Sequence, residues 1–212
     1  IKPSTEREYD LCRMEHTLIH DRRPLQVLTP EVFDRFMEHG WRILGSAILR
    51  HSAVVYNNEL VYTIPVRIRM DGFSFAGSHK KLLRKHNARF TTRVKAIEVT
   101  DEKEQLFLKH CDRLEHGNHY TSLDTFITSA SHYLPVAGLE MEVYDGDRLV
   151  ACSYFHLGNT AFCATYCFFD PEYQQFSLGN YTMLLEIELA KSMGKSHYYS
   201  GYVHHKPSQF DY

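Results

Sequence analysis

The chain has 212 residues, 43% of them hydrophobic and 13% aromatic, with a formal net charge of -2. That composition fits one large domain or two small interlocked ones; it excludes a disordered chain and an overall polycation, so any nucleic-acid contact must come from a local patch. No run of about 18 apolar residues occurs, so no membrane span is expected, and residues 1–6 lack the apolar core of a signal peptide. The five cysteines, Cys12, Cys111, Cys152, Cys163 and Cys167, are odd in number and scattered. They read as reduced thiols of a cytoplasmic protein. With Ile1 in place of a Met and a stop at Tyr212, the chain reads as a trimmed one.

In chain order, Thr29 and Pro30 predict a helix cap and first turn. Val32, Phe33 and Phe36 supply that helix's apolar face, and Gly40 ends it. Residues 43–49 and 60–70 are predicted strands; in the second, Tyr62, Ile64, Val66, Ile68 and Met70 share one face and Arg67 and Arg69 the other. Residues 78–87 predict a basic helix. Residues 101–114 predict another, with an acidic first turn and a buried stripe of Phe107, Cys111 and Leu114. Three short strands follow, 139–144, 149–156 and 161–169. Asp145-Gly146-Asp147 and Gly158-Asn159 are their turns, which makes an antiparallel meander. After Asp170-Pro171 come a loop, a helix over 179–193 with Met183, Leu184, Ile187 and Ala190 inward and Gly194 closing it, and a last strand over 197–203.

Several features carry candidate chemistry. The loop Gln174-Gln175-Phe176-Ser177-Leu178-Gly179 opens a helix, where free backbone N–H groups bind anions or carbonyl oxygens and glycine lets a ligand approach; an ordinary helix cap has the same look. From residue 72 to 97 there is no Asp or Glu, while Lys80, Lys81, Arg84, Lys85, Arg89, Arg93 and Lys95 stand there. Lys80, Lys81, Arg84 and Lys85 can share one helix face, either as a phosphate footprint or as a solvated surface. Cys163 and Cys167 are expected to face the same way along a strand but roughly 13 Å apart, too far for one zinc, and no metal site is expected. Glu140 and Glu142 alternate with apolar residues, which suggests a solvent or cleft face.

The strand, glycine-bearing loop, helix, strand order resembles the acyl-donor site of GNAT acyltransferases, although Ser177 stands where their first loop glycine would be. A longer resemblance is more specific. Tyr166-Cys167-Phe168-Phe169-Asp170-Pro171-Glu172-Tyr173, then Gln174, then Ser177-Leu178-Gly179, resembles a signature of arginyl-tRNA–protein transferases. Tyr199-Ser200-Gly201-Tyr202-Val203 and Phe210-Asp211-Tyr212 resemble the motifs that follow it. Gly40-Trp41-Arg42 and the run from Lys80 to Ala88 are similar to upstream parts of the same family.

The resemblance implies an α+β, GNAT-like acyltransferase fold, a mixed, mostly antiparallel sheet flanked by helices. Residues 1–98 would form an N-terminal α/β region with the basic helix and 99–212 the transferase core, the two interlocked as one unit. It implies an aminoacyltransferase that adds arginine or leucine from charged tRNA to the N-terminus of an acceptor protein, with aminoacyl-tRNA as co-substrate. Asp170 would accept or orient the attacking amine. Gln174, Ser177, Leu178 and Gly179, with Phe169, Gly201 and Asp211, would cradle the ester or the terminal ribose, and Tyr202 and Tyr212 would serve the leaving group. Lys80, Lys81, Arg84, Lys85 and Arg89 would hold tRNA. The family's N-terminal cysteines are missing where residues 52–58 stand, so no iron–sulfur cluster is expected. A CoA-dependent N-acyltransferase and a non-catalytic tRNA- or peptide-binding relative are the alternative readings.

Overall fold

The computed structural model describes residues 18–24, 28–56, 58–113, 120–127 and 137–206. Among these residues, ten strands and four α-helices run in the order β1 (His20–Pro24), α1 (Pro30–Glu38), β2 (Arg42–Leu44), β3 (Ala47–His51), β4 (Ala53–Tyr56), β5 (Glu59–Arg69), α2 (Gly77–Asn87), β6 (Thr91–Ala96), α3 (Asp101–Cys111), β7 (Ala137–Asp145), β8 (Arg148–Leu157), β9 (Ala161–Phe169), α4 (Leu178–Ser192) and β10 (His197–His204). Short 3-10 helices cover Leu123–Thr125 and Pro171–Phe176. Among the described residues, no helix is long and apolar enough to cross a membrane.

The main sheet has seven strands in the order β4-β5-β10-β9-β8-β7-β6; a small sheet, β1-β3-β2, stands beside it. Strands from both sides of residue 98 share the main sheet. All its pairings are antiparallel except one: β10 runs parallel to β9, and only over His197–Tyr199 against Ala161–Cys163. Beyond those three pairs the two strands part. Helices α2 and α4 cover one face through Leu83, Leu178, Tyr181, Leu184 and Ile187. The other face carries α3, with Leu106 and Phe107, and α1, with Phe33 and Met37. Each such fully buried side chain contributes about 1.5–3 kcal/mol of hydrophobic stabilisation.

Local chemistry sets the element ends. Thr29 caps α1 by accepting from the Val32 N–H, and Pro30 opens it. Thr100 caps α3 the same way for Lys103. The expected strand over 43–49 is instead a hairpin, β2 and β3, turning at Gly45. That residue sits at φ +54°, and a Cβ there would stand 2.7 Å from the Thr125 carbonyl oxygen, so the turn requires glycine.

The apolar face assigned to β5 is covered only at its far end, where Ile68 and Met70 reach the α4 side of the core. At its start Val61 and Thr63 are buried, while Tyr62 and Ile64 are half exposed, because the inward face there is tied to Ser52 and His51 of the neighbouring hairpin. Cys163 and Cys167 do not face the same way. The β8–β9 register shifts between Tyr154 and Phe155 and leaves Thr165 bulged; Cys163 joins the α1 cluster, while Cys167 Sγ lies 3.2 Å from Thr182 Oγ1 on α4. Glu140 and Glu142 are buried beneath α3, not exposed. Lys103 reaches down from α3 to ion-pair with both, and Lys95 joins them from β6.

Candidate active site

The separation of β9 from β10 opens the sheet. A cleft of about 50 Å³ lies there, lined by Thr165, Tyr166 and Cys167 of β9, Gly179, Met183 and Glu186 of α4, and Tyr198 and Ser200 of β10. Two irregularities keep it open. One is the Thr165 bulge in β9; the other is a register shift in β10 between Tyr198 and Gly201 against β5. Gly201 sits at φ +121°, a conformation that suits glycine.

Glu186 lines the cleft and is buried. Its Oε2 accepts a 2.6 Å hydrogen bond from the Tyr198 hydroxyl. Burial pushes its pKa up to about 7, against a smaller downward pull from the Tyr198 and Ser153 hydroxyls. A carboxyl balanced near neutrality, facing a cleft, can take up and release a proton at working pH. The two β9 thiols near it are inert by comparison: burial pushes Cys163 up to about 11 and Cys167 up to about 12.

The predicted site residues divide among several places. Gly179 lines the cleft; a Cβ there would meet the Phe169 ring at 3.7 Å, and its carbonyl accepts from Thr182. Leu178 is buried in the core under α2. Ser177 precedes α4 in the left-handed region, φ 48°, and its carbonyl receives the Tyr181 N–H. Gln174 is exposed on the 3-10 helix. Gly201 gives its carbonyl to Arg42 on the side of β10 away from α4.

Asp170 is buried and its carboxyl is fully engaged by neighbouring groups. It caps the 3-10 helix through the Glu172 N–H, and its carboxyl pairs with Lys109 and Arg148. Burial pushes its pKa up, but Lys109, the Glu172 N–H and Arg148 outweigh that and hold it below the usual value. The Tyr202 hydroxyl donates to the Gly40 carbonyl, which ties β10 to the end of α1. Asp211 and Tyr212 lie outside the described residues.

Lys80, Lys81, Arg84 and Lys85 are exposed on one face of α2, opposite the buried Leu83 and His86. His86 Nε2 lies 2.6 Å from the Phe176 carbonyl, and the Tyr181 hydroxyl donates to Asn87. These contacts fix the basic helix against the start of α4. Arg89 is engaged, ion-paired to Asp145 and stacked over Phe176.

Glu186 was not singled out by sequence reasoning. It sits in the run Leu184-Leu185-Glu186-Ile187, and a charged residue flanked by apolar ones on a core helix was the available signal. Buried carboxyls of that kind are enriched at functional sites.

A family model described as arginine-tRNA-protein transferase, C terminus, matches residues 102–212. An aspartate/glutamate leucyltransferase of Shewanella sp. (strain MR-7) is 31% identical over 182 residues, which cover 84% of this chain and 72% of that protein. The aspartate/glutamate leucyltransferase of a Campylobacter jejuni strain is 26% identical over 188 residues, 86% of this chain and 76% of that protein. Among solved structures, a C-terminal domain assigned to a lysylphosphatidylglycerol synthetase of Agrobacterium fabrum superposes with a TM-score of 0.52 at 9% identity, over 66% of this chain and 47% of that one. The L-PGS structure from Bacillus licheniformis gives 0.50 at 10% identity, over 86% and 53%. The chain spans about half the length of those two solved chains, and identities this low speak to the fold alone, a GNAT-like α+β arrangement.

Proposed function

The chain belongs to the arginine-tRNA–protein transferase family, and from that premise we propose that it moves an amino acid from charged tRNA onto the N-terminal amine of an acceptor protein. Leucine is the proposed cargo and a first residue of Asp or Glu the proposed acceptor, as in the names of the relatives. The observation that carries the mechanism is the buried Glu186 carboxyl in the cleft between the parted strands.

The ester of an aminoacyl-tRNA is already activated. An N-terminal amine has a pKa of about 7.7–8.0, so a carboxylate poised near 7 is a competent partner for its proton. The amine nitrogen attacks the ester carbonyl, and the C–N bond forms. Glu186, directly or through Tyr198, takes the ammonium proton. The C–O bond to the terminal ribose then breaks, and the proton passes to the departing hydroxyl. The backbone N–H groups at the start of α4, near Gly179, with Ser177 and Gln174, are the proposed donors to the developing oxyanion or to the ribose. Asp170, with Lys109 and Arg148, holds the Pro171–Phe176 turn that positions those groups. The exposed Lys80, Lys81, Arg84 and Lys85 are the proposed phosphate contacts, adjoining α4 through His86 and Asn87.

The test mixes the protein with tRNAs carrying labelled amino acids, one at a time, and peptides that differ in their first residue. Label on peptides beginning with Asp or Glu, from leucyl-tRNA, is the expected result. No transfer from any charged tRNA by the folded protein would overturn the reading.

A further inference from the structure

The α1 face of β10 carries a second concavity at the same level as the cleft. A pocket of about 190 Å³ is lined there by Glu38, Arg42, Val66, Arg67 and Tyr199, with the end of α1 above it. Cleft and pocket flank one short stretch of β10: Tyr198 and Ser200 line the first, and Tyr199 lines the second.

Arg42 dominates this pocket. It is 6% exposed, yet its acceptors among the described residues are all backbone carbonyls: Trp41 at 2.7 Å, and Val66 and Gly201 at 3.3 Å each. Its Nε has no hydrogen-bond partner among the described residues. The guanidinium stacks over the rings of Tyr199 at 5.2 Å and Tyr202 at 5.4 Å. Carbonyls and aromatic faces offset part of the cost of burying the charge. A buried cation without a carboxylate partner still retains strong attraction for an anion. Arg67 adds a second guanidinium at the rim, bonded to the Tyr199 hydroxyl. With Glu38 the lining carries one net positive charge, which a single carboxylate neutralises, and an arginine fork matches a carboxylate in shape.

We propose that the Arg42–Arg67 pocket receives the side-chain carboxylate of the acceptor protein's first residue, and so selects acidic N-termini. The proposal rests on the transferase reading above. Its geometry lets the two substrates enter from opposite faces of the sheet: tRNA on the face of α2 and α4, the acceptor on the face of α1, with the parted strands between them. The separation from the basic face of α2 favours a peptide carboxylate over an RNA phosphate as the anion bound here.

The experiment measures binding of fluorescent peptides beginning with Asp or Asn to the full chain, without tRNA, and then transfer. The variants are Arg67→Gln, whose side chain is exposed, and Arg42→Lys, which keeps the charge and loses the fork. Circular dichroism checks that each is folded. The native protein is expected to hold the Asp peptide about tenfold or more tighter than the Asn peptide, and either variant to lose about tenfold of that preference. In turnover the loss appears as a raised KM for the peptide, with the KM for charged tRNA unmoved. Equal binding of the two peptides by the native protein would overturn the proposal, as would variants that weaken tRNA binding and leave peptide preference intact. Discriminating peptide binding without transfer from any tRNA would keep the pocket and sink the transferase reading instead.

Discussion

The Tyr198 hydroxyl reaches 2.6 Å to Glu186 Oε2 at the level where β9 and β10 part. The groups that face this carboxyl from the packed strands carry no opposite charge: Ser153 from β8, Cys167 from β9, whose thiol burial pushes up, and the Tyr198 hydroxyl from β10. Burial therefore decides the ionisation. Transfer by the native protein is expected to rise with pH through about 7 as Glu186 ionises. Glu186→Gln should leave only the later rise that belongs to the acceptor amine, near about 7.7–8.0, and slow turnover by about 10²–10⁴. Rates at pH 6, 7 and 8 under saturating substrates check it; an unchanged profile would remove Glu186 from proton transfer.

The same carboxyl predicts a stability effect of opposite sense. Its folded pKa of about 7 lies above the reference 4.5, so the folded chain binds the proton more tightly than the unfolded one. This contribution is complete below about 4.5, is lost as pH rises to about 7, and leaves above that a cost of about 3 kcal/mol. Urea melts should show Glu186→Gln gaining on the native protein between pH 5 and pH 8. A constant difference across that range would contradict the assigned environment.

Periodicity made most of the α+β frame legible in the sequence. The β8–β9 meander, the basic helix and the 15-residue α4 announce themselves by alternation, charge and caps. Pairing between distant strands is not local, so β1, which pairs with β3, and β6, which pairs with β7, stayed hidden, as did β4, a four-residue arm of a hairpin with β5; the single bulge at Thr165 reversed the facing of Cys167. Motif resemblance pointed to the loop around Asp170 and Gly179. It did not point to Glu186, whose proposed role depends on a cleft lined by three separate elements.

Charge reversal on α2 separates recognition from folding. Lys80, Lys81, Arg84 and Lys85 are exposed, so Lys81→Glu with Arg84→Glu should leave the melting transition nearly unchanged. tRNA affinity should fall, and the slope of log K against log salt should lessen by about 0.7–0.9 for each phosphate that is no longer neutralised. Filter binding at three salt concentrations is the measurement. An unaltered slope would move the tRNA footprint elsewhere.

Among the described residues, Lys103 is the only cation fully buried in the Glu140–Glu142 cluster; Lys95 meets it from a partly exposed position. Lys103→Met leaves two buried carboxylates with one cationic partner, Lys95, beside the Glu98 N–H and the Tyr144 hydroxyl. The expected loss at pH 7 is about 3–5 kcal/mol, read by chemical denaturation. Lys103→Met combined with Glu140→Gln and Glu142→Gln should recover much of it, because the charges then leave together. A mild effect of the single substitution would mean that Lys95 alone satisfies the pair.

Asp170 and Glu186 are both buried carboxyls, but of the two only Asp170 is ion-paired among the described residues. Lys109 and Arg148 hold it ionised, and the Glu172 N–H completes its hydrogen bonds. Its folded pKa lies below the reference value, so its stabilisation is present above about 3.8 and disappears as pH falls through the folded value. Asp170→Asn keeps the shape and gives up the charge, and should cost about 1.5–3 kcal/mol at pH 7, with the gap to the native protein closing toward acid. Turnover should fall because the Pro171–Phe176 turn and the start of α4 loosen, while the residual rate keeps its rise through about pH 7, since Glu186 is untouched. If Asp170→Asn instead abolishes that rise, proton transfer belongs to Asp170, and Glu186 is reduced to a buried partner of Tyr198.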